Sequence, residues 1–340
     1  MDPKVTVLMG VFNRESYLEE TIQSVLGQSL GDFEFIIVDD ASTDHSWEVL
    51  QQQAARDRRI RLMRNEANQG AAPTYNRILA EARGRYIATQ DSDDISLPQR
   101  LEKQAAVLEA RPEVTVVGGF ASLMDSQGRP LPRTLLQPTT DKVIRAQALL
   151  FNSFIGATMM GRRQTMADHG LQYRYSTVED FYMSSALLRY GQGVNLDEIL
   201  IKVRIHGGSV SNFWEKQESL ADQVSLENFA LRGLDHRFGQ EDVLLMRRVG
   251  LRGLALSAEE RRRQLDLLAD FLDCMRTELG LSRAEVHELS HWILVRVLRG
   301  MSLPPHHWGN LPELLRLLRL DPRTTLGYLG RKLIPGDGFN

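Results

Sequence analysis

Through its first third the chain alternates between short apolar runs and longer segments whose apolar residues recur every three or four positions. The short runs are "KVTVLMG" (residues 4–10), "FEFIIVD" (33–39), "IRLMR" (60–64), "RYIAT" (85–89) and "EVTVVGG" (113–119), and each predicts a strand. The second and fifth are nearly continuous β-branched apolar runs, the pattern of parallel strands covered on both faces. Helical periodicity fills the gaps. Ser16 and Glu19 read as a capping box ahead of Leu18, Ile22 and Val25 on one face. Trp47, Leu50 and Ala54 mark a second helix, and "AAPTYNRILAEA" (71–82) a third. Ser96 and Gln99 form a second capping-box pair, with Pro98 inside the first turn, before Leu101, Ala105 and Leu108. Strand and helix in alternation predict βαβ units and an α/β fold with a mainly parallel sheet.

The pattern changes near Asn212. Strand signals stop, and helical periodicity runs on, as in residues 258–279, where Leu265, Leu268, Leu272 and Met275 share one stripe. The expected organisation is an α/β domain over residues 1–211 and a helical extension over 212–340. Composition adds exclusions. With 42% apolar and 25% charged residues and a net charge of −3, the chain is an ordinary globular protein, with nothing to attract nucleic acid. The single cysteine, Cys274, excludes an internal disulfide framework or a cysteine metal cluster and suits a reducing compartment. The first apolar run is too short and too soon interrupted for a signal peptide, and no run is long enough for a membrane span, so a cytoplasmic protein is expected.

Candidate chemistry lies in the carboxylates. The second strand ends in "VDDASTD", with Asp39, Asp40 and Asp44, and the fourth in "QDSDD", with Asp91, Asp93 and Asp94. Ligands of open α/β sheets bind beyond the carboxyl ends of the strands. Like charges crowded there call for water, protonation or a cation, and all-oxygen ligands favour Mg²⁺ or Mn²⁺, which share their shell with substrate phosphates. The EF-hand pattern is broken by Ile95 and Ser96. Further on, "STVEDFYM" opens a helix in which Ser176 and Glu179 read as a capping box, leaving Asp180 to face a pocket. In "RIHGGSVS", His206 is a candidate for a diphosphate contact or for the metal shell. Arg204 and Ser211 are weaker candidates, and Gly207 and Gly208 suit a reshaping loop.

Four ordered segments resemble the family-two glycosyltransferases, inverting enzymes of the GT-A fold that use nucleotide-sugar donors. These are "VTVLMGVFNRESYLEETIQSVLGQSLGDFEFIIVDDASTD", "GRYIATQDSDDISLPQRLEKQ", "EDFYMSSALLRYG" and "VRIHGGSVS", spanning residues 5–211. The resemblance implies a Rossmann-like GT-A sheet, with Val11, Phe12 and Asn13 against the nucleobase. Asp40 would accept from a uracil imide, with Asp39 beside it. Asp93 would approach the ribose or phosphate, Asp94 would ligate Mn²⁺ or Mg²⁺ with Asp91 in support, and Asp180 would be the general base. Where members carry N-x-G-x-x-x-A-R-N, this chain keeps Asn68, with the nucleotide contacts, and Gly70 and Asn76, but has Tyr75 in place of the arginine. The implied partners are a nucleoside-diphosphate sugar and a glycan or lipid-linked acceptor.

Inverting transfer is an in-line displacement that needs a carboxylate to take the acceptor's proton and a cation to offset charge on the leaving diphosphate. A nucleotidyltransferase of similar architecture would carry a glycine-rich loop and a lysine after the first strand; "GVFNRESY" has neither, and G-x-G-x-x-G and P-loop patterns are absent. A non-catalytic nucleotide-sugar-binding module would not require both Asp94 and Asp180. The basic, amphipathic "LPELLRLLRL" (311–320) near the end of the chain suits packing on the catalytic domain, a dimer contact, or an anionic membrane surface.

Overall fold

A computed structural model describes residues 2–207, 214–248, 256–299, 321 and 325. Gly208, Ser211 and the amphipathic stretch 311–320 lie outside the described residues.

The elements in chain order begin with β1 (Val5–Val11), α1 (Leu18–Leu26), β2 (Phe33–Asp39), α2 (Ser46–Arg56), β3 (Ile60–Arg64), α3 (Ala71–Glu81) and β4 (Tyr86–Thr89). There follow β5 (Ile95–Ser96), α4 (Arg100–Ala110), β6 (Val114–Met124), β7 (Pro130–Leu135), α5 (Asp141–Gln147), β8 (Met160–Arg162), α6 (Arg163–Asp168), α7 (Glu179–Leu187) and β9 (Gln192–Arg204). The last described elements are α8 (Trp214–Leu231), α9 (Gln240–Arg247), α10 (Ala258–Glu278) and α11 (Arg283–Arg299).

Contacts divide the chain into two compact units, Met1–Asp141 with Asn152–Ala221, and Lys142–Phe151 with Asp222–Asn340. The first holds one sheet in the order β3-β2-β1-β4-β8-β6-β9-β5, with β7 on β6. β3, β2, β1 and β4 run parallel. β8 lies antiparallel between β4 and β6, and β6 runs parallel to β9. The fifth apolar run is thus a strand extended to Met124, separated from β4 by a three-residue strand too short to leave a period in the sequence. β2 is buried at every position, which explains its unbroken apolar pattern. The inward stripe of α1, Leu18, Ile22 and Val25, packs with Val5, Val7, Met9 and Phe35.

Three expected capping boxes are absent. α1 begins at Leu18 and α4 at Arg100 without side-chain caps, and α7 begins at Glu179 after Val178. Ser96 lies in β5, where its hydroxyl donates to Gln90 Oε1 at 2.7 Å. Ser176 Oγ accepts instead from the Ala72 N–H at 3.1 Å. Another partner outcompetes the local cap in both cases, six positions away for Ser96 and 104 for Ser176.

The second unit has its own core. Val143, Leu149 and Leu150 pack with Phe229, Leu265, Leu268, Phe271, Leu272, Met275 and Ile293. This membership takes residues 142–151 out of the α/β unit. Among the described residues no helix is long and apolar enough to cross a membrane.

Candidate active site

β1 and β2 end side by side, with Val11 in register with Asp39. Val11 is buried and Phe12 is 42% exposed. Asn13 turns the chain with φ 54°, a left-handed conformation that asparagine tolerates. Its N–H donates to Ser42 Oγ at 3.0 Å and its Oδ1 accepts from the Thr43 N–H at 2.8 Å, tying the two strand ends together. Asp39 pairs with Arg64 at 2.9 Å, while its Oδ1 is buried without a partner among the described residues. Asp40 organises the loop after β3. Its Oδ1 accepts from Asn65 Nδ2 (2.6 Å) and the Gln69 N–H (2.9 Å), its Oδ2 from the Gly70 N–H (2.8 Å). Oδ1 is therefore full, and Oδ2 keeps room for one more donor. Asn68 Nδ2 donates to the Asp40 carbonyl at 3.3 Å. Asp44 holds α2 by accepting from the Ser46 N–H at 3.0 Å.

The loop after β4 is built on a buried cation. Arg100, 1% exposed, donates to Gln90 Oε1 (3.0 Å), Ser96 Oγ (2.8 Å) and the Thr89 carbonyl. Gln90 Nε2 in turn donates to the carbonyls of Asp91 (3.0 Å) and Asp94 (3.1 Å). Burial lowers the Arg100 pKa to about 10, against the pull of Asp91 and Asp94, so it stays charged at neutral pH. Burial, then the charges of Asp93 and Asp180, raises Asp91 to about 7. Asp93 Oδ2 meets Arg14 Nε at 3.1 Å and His206 Nε2 at 2.9 Å. His206 stands 4.9 Å from the Tyr17 ring.

Asp94, the metal ligand that the sequence resemblance implied, has one oxygen engaged by backbone. It is 2% exposed, and its Oδ1 accepts from the Arg204 N–H at 2.9 Å, which fastens the loop to β9. Burial first, then Asp91 and Asp93, pushes its carboxyl well above the usual range. Arg204 completes the joint by donating to the Asp93 carbonyl (2.9 Å) and pairing with Glu20 (2.6 Å).

The third acidic pair opens α7. Glu179 Oε2 turns back to the Thr177 N–H at 2.6 Å, not to Ser176. Thr177 has φ 91°, a strained value for a β-branched residue. Asp180 Oδ1 accepts from the Phe181 N–H at 2.7 Å and Oδ2 from Asn152 Nδ2 at 2.9 Å. A Cβ on Gly156 would fall 2.5 Å from Asp180 Oδ2, so only glycine leaves the carboxylate its place. Burial raises both acids: Glu179 to about 8, helped by the Asp180 charge, and Asp180 to about 6, restrained by its hydrogen bonds. At neutral pH the arrangement favours a protonated Glu179 beside an ionised Asp180, two carboxyl groups pushed apart by their surroundings. Tyr75 lies in the same region, its ring edge-on to Tyr173 at 5.2 Å and packed on Gly10. Burial and then the charges of Asp91, Glu179 and Asp180 raise its hydroxyl well above the ordinary value.

Asp91, Asp93, His206 and Asp180 therefore share one neighbourhood. Arg14, Asn152, Gly156 and Arg100 belong to it and were not singled out from the sequence. Arg14 follows the strand-end Asn13, whereas Asn152 and Gly156 carry no local signal. Among the described residues no three His, Cys, Asp or Glu groups are close enough to hold a metal alone. One carboxylate and one imidazole in contact still fit a divalent ion that takes its remaining ligands from phosphate and water.

The model of glycosyl transferase family 2 matches residues 6–170. TuaG of Bacillus subtilis (strain 168), named as a candidate teichuronic acid biosynthesis glycosyltransferase, is 36% identical over 217 residues, 63% of this chain and 84% of TuaG. Among solved structures, Staphylococcus aureus TarS 1–349 in complex with UDP-GlcNAc has a TM-score of 0.53 at 18% identity, over 95% of this chain and 92% of that one. The mannosyltransferase PcManGT from Pyrobaculum calidifontis, in complex with GDP-Man and Mn²⁺, has a TM-score of 0.55 at 14% identity, over 98% and 88%. These structural likenesses meet the expectation of a GT-A fold. With its ordered strand-end carboxylates and this sequence identity, the chain belongs to glycosyl transferase family 2.

Proposed function

We propose that this glycosyltransferase moves a sugar with inversion from a nucleoside-diphosphate donor to a hydroxyl of a glycan or lipid-linked acceptor. The donor is a UDP-sugar ahead of a dTDP-sugar, of hexosyl or N-acetylhexosaminyl type, and the product a bacterial surface polysaccharide. The observation that carries this reading is Asp180, whose charge reaches Asp91 in the β4 loop, where Asp93 meets His206 from beyond the end of β9. A proton-accepting carboxylate thus stands across from a diphosphate-facing group. TarS supports the UDP donor, PcManGT the divalent ion, and TuaG the polysaccharide.

In this reading Phe12 offers an exposed ring to the base, and Asp40 Oδ2 accepts the imide N–H that uracil and thymine present. Asp93 and His206 hold Mn²⁺ or Mg²⁺, with Asp91 behind them; the ion's chemistry is to offset charge on the leaving diphosphate. Arg14 turns from Asp93 toward the same negative charge. Asp180 takes the proton from the attacking hydroxyl, which is typically worth about 10²–10⁴-fold in rate. Glu179, protonated, keeps a second negative charge out of the pocket.

Thermal stabilisation by nucleoside diphosphates, with and without Mn²⁺, tests the reading. UDP at about a hundred times its dissociation constant adds roughly 2.7 kcal/mol of stability. UDP is expected first and dTDP second, both strengthened by Mn²⁺. Greater stabilisation by ADP or GDP overturns the base assignment, and equal binding with and without metal overturns the metal role.

A further inference from the structure

The mechanism above leaves one well-held side chain without a task. Asn152 follows no motif, yet its amide is fixed on both sides. Its Oδ1 accepts from the Phe154 N–H at 3.1 Å and from Ser184 Oγ at 3.2 Å. A backbone N–H can only donate, so the oxygen must face Phe154 and the NH₂ must face the other way. The other way is Asp180 Oδ2, at 2.9 Å. Ser184 is 1% exposed, and its one hydroxyl proton is shared between Asn152 Oδ1 and the Phe181 carbonyl, 3.1 Å away. Phe181 also gives its N–H to Asp180 Oδ1, at 2.7 Å. Each oxygen of the carboxylate thus accepts a hydrogen bond, and Gly156 closes the Oδ2 side.

We propose that Asn152 is a positioning residue for the base: its amide fixes the orientation of the Asp180 carboxylate and keeps a hydrogen-bond donor on its charged form. The inference rests on the reading of Asp180 as base. Its physical need is plain. The groups around Asp180 are Glu179 on its own helix, Asp91 from the β4 loop, and the phenols of Tyr75 on α3 and Tyr173. Burial and like charge both favour a protonated Asp180, and a protonated carboxyl cannot act as base. A neutral donor on Oδ2 opposes them without bringing in a cation that would pair with the carboxylate.

Asn152→Asp gives the sharpest test. An aspartate keeps the shape and the acceptor for Phe154 and Ser184, removes the donor and adds like charge. Two readouts are needed, in the full chain. The first is the titration of the Asp180 carboxyl carbon followed by NMR, with Asp180→Asn to assign the signal; it requires no substrate. The second is the pH profile of UDP release from UDP-N-acetylglucosamine. In Asn152→Asp the Asp180 midpoint is expected to rise by about one pH unit or more. The acid limb of the rate profile should move with it, so that turnover falls about twofold at pH 7, approaches a tenfold fall well below pH 6, and recovers toward pH 9. UDP affinity should hold. Asn152→Ala should shift the same way by less, and it carries the test if the aspartate variant does not fold. A folded variant with an unmoved Asp180 midpoint overturns the proposal, as does a loss of rate equal at every pH. If the midpoint shifts but Asp180→Asn remains active, the base reading fails and the hydrogen-bond role stands.

Discussion

Two strand ends of the same sheet each present three aspartates, and they use them in opposite ways. After β2, backbone N–H donors serve all three: Ser42 for Asp39, Gln69 and Gly70 for Asp40, and Glu15 and Ser46 for Asp44. After β4, the Asp93 carboxylate meets side-chain partners among the described residues, Arg14 and His206, which can exchange it for a ligand. Asp91 lies under the repulsion of Asp93 and Asp180. Only Asp94 behaves like the β2 group, with the Arg204 N–H on its Oδ1. Carboxylates held by backbone donors build loops. Carboxylates pressed by like charge, with side-chain rather than backbone neighbours, are positioned for chemistry.

The largest test of that contrast falls on Asp180, the carboxylate that faces the β4 group. Asp180→Asn should lower turnover by about 10²–10⁴-fold while UDP affinity barely changes. The wild-type rate should depend on pH with a definite sign. A base whose pKa burial has raised to about 6 is charged above that value and protonated below it, so activity is lost as pH falls through about 6. An Asp180→Asn enzyme with ordinary turnover would remove Asp180 from the reaction.

The next test separates two neighbours. Asp93→Asn should weaken the Mn²⁺-dependent part of UDP binding by at least the roughly 10–100-fold that loss of even a supporting group costs a metal site. Asp94→Asn should leave it almost intact, because an amide oxygen still accepts from Arg204 and burial already favours an uncharged group there. Isothermal titration of UDP with and without Mn²⁺ distinguishes them, and a reversed outcome would return the ligand role to Asp94.

A smaller effect, on stability, is expected after β2. Asp40→Asn places an NH₂ where Gln69 or Gly70 now donates, which leaves a buried donor unmet at a cost of about 1–3 kcal/mol. Denaturant midpoints should fall accordingly, and an unchanged midpoint would show that Asp40 is not the anchor of that loop. The smallest effect is expected at Glu179→Gln. Gln retains an acceptor for the Thr177 N–H and resembles the protonated acid that burial favours. Turnover should therefore stay within a small factor, and a folded but dead variant would transfer the base role to Glu179.

Much of this was legible in the sequence. The strands at residues 33–39 and 60–64 stand where the apolar runs put them. The inward stripes of α1 and α10 are the ones that periodicity predicts. The capping boxes were not legible, because Ser96 became part of β5 and bonded Gln90, and Ser176 found a partner 104 positions away. Nor was β8, whose three residues between β4 and β6 carry no period of their own.

By itself the sequence determined the parallel α/β half, the helical remainder and the placing of acidic groups at strand ends. Each of these follows from local periodicity and from where a βαβ chain must turn. Only the tertiary structure decided which partners each carboxylate meets. Asp93 and Asp94 are adjacent and chemically identical, yet one meets His206 and the other the Arg204 backbone, because β9 lies beside β5 and reaches both. Asn152 reaches Asp180 across 28 positions of chain. A side chain's role is set by the donors and charges that surround it, and residues that distant in sequence become neighbours only when the sheet closes.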